Sequence, residues 1–248
     1  MRKDRDIRME LVQRQFMEEQ GVSLYRLFVG VYGASLYWMD TAELNDADRF
    51  AVCYRSLSAG RQRKVDSYLR MKDKKLSLAA GLLLDCGLSA YGLRERETEM
   101  ACGENGKPYL PAYPRIHLNL SYSENMAFAV FAETEVGCDI EKVQEADMEL
   151  AERFLHPAEY ACLARQEKGA PRDEAFCRLR TLKESFVKAL GVGVMLPFPF
   201  FEVRILSDDR AEVCQKVDRA VYSFREYRLG RYCASVCFRE RECFSVNA

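Results

Sequence analysis

The chain has 248 residues, 48% of them apolar and 11% aromatic, and 37 basic side chains against 38 acidic ones leave a net charge of −1. That composition supports a buried core in one large domain or two small ones, and its charge balance is too neutral for a dedicated nucleic-acid binder. Ten cysteines without a CxxC pair read as reduced thiols of a cytoplasmic protein, and two histidines, His117 and His156, leave little for a zinc site or a Ser/His/Asp triad, so chemistry falls to carboxylates and lysines.

Residues 1–22 are charged throughout, which predicts a helical extension rather than a signal peptide, and no apolar run approaches a membrane span. LYRLFVGVYG (24–33) predicts the first strand, closed by glycine. Residues 45–92 read as helical and end in a buried helix, KKLSLAAGLLLDCGLSAYGL. Strands follow at 117–123, 126–133 and 136–143, with gaps short enough to predict an antiparallel meander. Helices near 147–166 and 173–190 precede strands at 199–206, 221–229 and 232–240, the last two joined through Gly230. Helices then strands, twice over, predict an α+β fold of two similar halves. The seam is expected near residue 134, giving an extension (1–22), an N-terminal half (23–133) and a C-terminal half (134–248). No Pro/Gly-rich linker marks it, so the halves should pack tightly.

Three stretches carry candidate chemistry. In RTLKESFVKALG (180–191) the helical period sets Glu184 and Lys188 opposite Leu179, Leu182, Phe186 and Leu190. Alone, such an i, i+4 pair is a surface feature worth about 0.3–0.5 kcal/mol. In VGCDIEKV, Asp139 and Glu141 share one face of a strand, where two carboxylates repel unless a lysine, an arginine or a divalent ion joins them. Alone, this is the polar outer face of an edge strand. In NGKPYLP (105–111) Lys107 sits before Pro108 in a turn, and Ser121 and Ser123 share a face of LNLSYS. A lysine with hydroxyls suits a phosphate, and a turn lysine is also commonly just solvated. Eight cations between Arg55 and Lys75, against Asp66 and Asp73, mostly solvate a helix face.

The ordered set GKP, LNLSYS, VGCDIE, FLHPAEYACL and LKESFVK resembles the 4′-phosphopantetheinyl transferases, in particular the larger type that activates nonribosomal peptide synthetases, over about residues 24–240. The resemblance implies two pseudo-symmetric α+β halves, each a small, mostly antiparallel sheet packed on helices, with the cofactor between them in a monomer. It implies Mg²⁺-dependent transfer of the phosphopantetheine arm of coenzyme A to a serine of an acyl or peptidyl carrier protein, releasing 3′,5′-ADP, with neither nucleic acid nor membrane as partner. Carried over, Asp139, Glu141 and Glu184 hold Mg²⁺. Glu184 is metal ligand first and general base second, and forms the catalytic set with Asp139 and Lys188. Lys183 and Lys188 face the diphosphate. Lys107, Pro108 and Ser121 bind the adenosine part with its phosphate, Tyr122 stands where a histidine contacts the phosphates, and Arg61, Lys64 and Lys75 lie near the adenine and 3′-phosphate.

Three departures accompany the resemblance. The family's Ser-His-Ser is Ser121-Tyr122-Ser123. An arginine four residues before the helix glycine, Gly81, is Ser77, with Lys74 or Lys75 as candidate replacements. An aromatic three residues before the Lys-Glu step is Arg180. All three are expected around the cofactor and away from the acids, which predicts an active enzyme with weakened coenzyme A binding. A catalytically degenerate module that binds coenzyme A or carrier protein is the main alternative, followed by an Mg²⁺-dependent hydrolase of coenzyme A. A thiol enzyme fits least, because Cys138 sits beside carboxylates.

Overall fold

Two facing sheets, each backed by a long helix, organise the chain into helix, sheet, sheet and helix layers. The computed structural model describes residues 10–11, 22–207 and 210–241. Its first half contains β1 (Glu10–Leu11), β2 (Tyr25–Val29), β3 (Ala34–Asp40), α1 (Ala47–Ser56), α2 (Ala59–Asp66), α3 (Met71–Ser89), β4 (Ala101–Cys102), β5 (Pro108–Tyr109), β6 (His117–Ser123) and β7 (Met126–Ala132). The second contains β8 (Val136–Lys142), α4 (Met148–Phe154), α5 (Pro157–Ala164), α6 (Ala170–Leu190), β9 (Glu202–Ile205), β10 (Ala211–Cys214), β11 (Tyr222–Leu229) and β12 (Tyr232–Arg239). Antiparallel pairing gives one sheet in the order β1-β2-β3-β7-β6 and another in the order β11-β12-β8, with β4–β5 and β9–β10 as separate pairs. The architecture is α+β, as the element order predicts.

The central strands show no polar alternation because both of their faces are covered. Leu36 and Trp38 of β3, with Phe128 and Val130 of β7, face the second sheet, where they meet Val136, Cys138 and Ile140 of β8 and Val236 and Phe238 of β12. Their neighbours Tyr37, Met39, Ala129 and Phe131 face α3. Glycine lets each long helix press onto its sheet. A Cβ on Gly87 of α3 would lie 1.9 Å from the Phe131 ring, and one on Gly137 of β8 would lie 2.2 Å from both Ser185 O and Ala189 N of α6.

Two expectations are corrected. The meander stops at β7: that strand already has β3 on one edge and β6 on the other, so β8 leaves the sheet and pairs with β12. Of the predicted helical extension, Glu10–Leu11 is a strand against Tyr25 and Arg26, and the other residues before Val22 lie outside the described ones. The short strand β10 carries no alternation strong enough to announce it. No helix of the described residues is long and apolar enough to cross a membrane.

The contact at Gly137 generates a prediction. Gly137→Ala forces the α6 backbone off β8 and should destabilise the protein by at least about 1–3 kcal/mol, the usual cost of overpacking, read as a lower urea midpoint.

Candidate active site

The two sheets meet edge to edge through side chains. On β6, Asn119, Ser121 and Ser123 share a face and supply acceptors to successive backbone N–H groups of β8. Cys138 N donates to Asn119 Oδ1 at 3.0 Å, Ile140 N to Ser121 Oγ at 3.4 Å, and Lys142 N to Ser123 Oγ at 3.2 Å. The same hydroxyls donate onward to the acids of β8: Ser121 Oγ to Asp139 Oδ1 and Ser123 Oγ to Glu141 Oε2, each at 2.7 Å.

Helix α6 closes the other side. Lys188 Nζ donates to Asp139 Oδ1 at 2.6 Å and to Ser121 Oγ at 3.1 Å. Burial works against its charge, yet Asp139 together with Cys138 and Glu184 more than offsets that and raises its pKa. Glu184, one turn earlier and partly buried, is pushed above the ordinary carboxylate range by burial first and by the Asp139 charge second, against the pull of Lys188 and Arg180. Arg180, a further turn back, donates to Glu141 Oε1 at 2.9 Å. Asp139, Glu141, Ser121, Glu184 and Lys188 therefore gather at one seam, and Arg180 joins them, although the resemblance places it around the cofactor and away from the acids. It faces the acids because it lies four residues before Glu184 on the same helical stripe. Cys138 sits beneath, its thiol raised to about 12, chiefly by burial.

Other predicted residues go elsewhere. Lys183 is fully buried on the opposite side of α6, donating at 2.8 Å to both Glu159 Oε1 and Phe201 O, so it holds α5 and the chain before β9 and does not face the acids. Lys107 is spent on the C-terminus of α6: its Nζ donates to Ala189 O at 2.8 Å and pairs with Glu135 at 2.7 Å, while Asn105 Nδ2 caps Gly191 O. A lysine there satisfies free helix carbonyls and complements the helix dipole. Pro108 follows in β5, paired with Cys102. Arg61, Lys64, Ser77 and Tyr122 do come together, lining a cavity of about 120 Å³ with Asp73 and with Tyr68, which no motif singles out. Ser77, whose buried hydroxyl has no hydrogen-bond partner, and Tyr122, 54% exposed, are two of the three departures. Arg61 already leans toward Glu95 at 3.8 Å. Lys75 is turned to Asn45 and does not line the cavity, so it does not replace the missing arginine. A larger cleft of about 1010 Å³ lies between α5, α6, β9 and β11, but its Arg178, Arg204 and Arg228 are paired with Glu226, Glu202 and Glu174. The two histidines are structural: His156 caps α5 in a capping box with Glu159, and His117 meets Glu135.

This arrangement can be set beside known proteins. Residues 135–237 match the model of the 4′-phosphopantetheinyl transferase superfamily. A 4′-phosphopantetheinyl transferase of Bacillus subtilis is 31% identical over 159 residues, 64% of this chain and 70% of that one. The chain belongs to the 4′-phosphopantetheinyl transferase superfamily. The transferase Sfp of Bacillus subtilis strain 168 is 30% identical over 158 residues, covering 63% of this chain and 70% of its own. A holo-(acyl-carrier-protein) synthase of Bacillus anthracis, solved with coenzyme A (3′,5′-ADP), overlays 44% of this chain and 97% of its own at 19% identity and a TM-score of 0.37, too loose a match to define this fold.

The motif resemblance implies a divalent cation at these acids, and the donor set fits one in part. Asp139 Oδ2 is buried with no hydrogen-bond partner, and Glu184, raised by burial first and by the Asp139 charge second, stands close to it. Glu141 does not fit as packed, since Ser123 and Arg180 occupy both of its oxygens. Among the described residues, no three His, Cys, Asp or Glu side chains converge as a metal-binding group. The expected set of three acids is thus reduced, as packed, to Asp139 and Glu184.

Two predictions rest on these ion pairs. Lys183→Met strands Glu159 in the interior and should cost about 3–5 kcal/mol of stability in urea unfolding. Glu135 is drawn down to about 2 by its hydrogen bond to His117, against burial and with help from Lys107. Because the folded pKa lies below the unfolded one, its contribution is complete above the ordinary carboxylate range and fades as pH falls toward about 2. Glu135→Gln should flatten that acid limb in a pH series of unfolding midpoints while lowering stability at neutral pH.

Proposed function

We propose that this chain transfers the 4′-phosphopantetheine arm of coenzyme A to a serine of an apo acyl or peptidyl carrier protein and releases 3′,5′-ADP. The observation that carries the reading is the seam at which Lys188, held by Asp139 and Ser121, stands beside a partly buried Glu184, in a chain of this superfamily. The serine Oγ attacks the phosphorus bearing the pantetheine arm, a P–O bond to serine forms, and the bridging P–O bond of the diphosphate breaks. Lys188 is placed to meet the negative charge that grows on the departing phosphate, the kind of electrostatic stabilisation that dominates phosphoryl transfers. Glu184, raised by burial, suits acceptance of the serine proton, directly or through water. Asp139 and Glu184 would hold Mg²⁺, and the ion, when bound, neutralises and orients the diphosphate.

The cavity at Tyr122 is proposed as the nucleotide end of the site, with Arg61 and Lys64 supplying positive charge. Tyr122 and Ser77 bring hydroxyls where a histidine and an arginine are expected, and a charge-assisted hydrogen bond lost there costs about 1.5–3 kcal/mol, or tenfold to a hundredfold in affinity. The halves 23–133 and 134–248 form the site from both sides within one chain, which supports a monomer. Free thiols throughout the described cysteines support a reducing, cytoplasmic setting.

Mixing the protein with Mg²⁺, coenzyme A and a panel of apo carrier proteins should add one phosphopantetheine mass to at least one carrier. Lys188→Ala and Glu184→Gln should each slow that addition by about 10²–10³, as losses of a transition-state stabiliser do. Carriers that stay unmodified while coenzyme A binds would make the chain a binding module; 3′,5′-ADP released without any carrier would make it a hydrolase.

A further inference from the structure

Arg180 is held at the acid cluster from several sides. Its guanidinium donates to Glu141 Oε1 at 2.9 Å, while Ser123 Oγ holds Oε2 at 2.7 Å, so Glu141 has no free carboxylate oxygen. Beneath it, the Phe176 ring lies 6.0 Å from the guanidinium carbon, packing one face of the cation. Along α6 the order Arg180, Glu184, Lys188 follows a four-residue step, so one stripe presents cation, acid and cation to Glu141 and Asp139 of β8. Three carboxylates thus face two fixed cations; each Glu141 oxygen already carries a hydrogen bond, whereas Asp139 Oδ2 is buried without one.

We infer that Arg180 is a built-in counter-ion that occupies the place of a divalent cation at Glu141 and so sets the metal affinity of the site. This inference rests on the metal reading given above for Asp139 and Glu184. Free cation meets a cluster already two-thirds neutralised and binds weakly. Coenzyme A changes the balance, because its diphosphate restores negative charge beside Glu184 and can draw the guanidinium away from Glu141. A divalent ion would therefore be held more tightly with coenzyme A present, and Glu141 would be free to join Asp139 and Glu184 only in that state. Arg180 is a positioning residue in this scheme, acting through Glu141.

The test is a Mn²⁺ titration of the full chain followed by electron paramagnetic resonance of the free ion, with and without coenzyme A, so that no turnover is needed. Arg180→Met should bind free Mn²⁺ about tenfold more tightly than the parent, a size usual for directly coupled neighbours, while Arg180→Lys, which keeps the charge, stays close to it. Glu141→Gln should cost the parent little free-Mn²⁺ affinity, because Glu141 is already committed, and should cost the Arg180→Met chain about tenfold. Circular dichroism identifies any variant that has lost its fold, and the Glu141→Gln comparison in the parent then stands by itself: a large loss of free-Mn²⁺ affinity there overturns the inference. Equal or weaker Mn²⁺ binding by folded Arg180→Met also overturns it while leaving the metal reading intact. No Mn²⁺ binding by parent or variant, even with coenzyme A present, removes the metal reading and the inference with it.

Discussion

Everything in the site depends on how the free edge of β8 is satisfied. One edge of that strand pairs with β12, and the N–H groups of Cys138, Ile140 and Lys142 on the other edge face β6. A buried strand edge left without partners carries a heavy cost. Here the partners are the side chains of Asn119, Ser121 and Ser123, which stand in for a neighbouring backbone. A hydroxyl, unlike a carbonyl, can also donate, and Ser121 and Ser123 pass that second bond to Asp139 and Glu141. The rungs that join the two sheets are therefore the same groups that orient the acids, and site geometry cannot relax without loosening the seam.

Much of this was legible in the sequence, and the failures have physical causes. Most strand and helix positions followed from periodicity, although the central strand β3 lay beyond the single strand read over 24–33, and Ser121 and Ser123 marked one face of β6, to which the structure adds Asn119. The partner of that face was not legible, because a period of two says which side chains point together and nothing about which strand receives them. The meander failed for the same reason: short gaps gave no sign that β7 already had a neighbour on each edge. The grouping of Lys107 with the α6 C-terminus and of Ser77 with Tyr122 likewise depends on contacts between distant segments.

Lys183 and Arg180 teach the opposite lesson, since the signal was present in each. Lys183 lies four residues after Leu179 and three before Phe186, which places it on the apolar side of α6, and there it needs the buried Glu159. Arg180 lies four before Glu184 and eight before Lys188, on the acid-facing side. Motif resemblance groups Lys183 with Lys188 because they flank the same glutamate. The helical period separates them by five residues, more than a third of a turn out of phase, and the period decides.

The cation stripe on α6 also explains how the acids tolerate one another. Two carboxylates two residues apart on β8 with a third from α6 would repel strongly in a partly buried seam, and desolvation would favour protonating at least one. Lys188 takes Asp139 and Arg180 takes Glu141, while Glu184, between the two cations on the helix, is raised by burial first and by the Asp139 charge second. Charge is left where the pairing stops. That residual, beside an unpartnered Asp139 oxygen, is the feature of the seam that calls for a further cation, and it sits directly against the lysine that would meet the diphosphate.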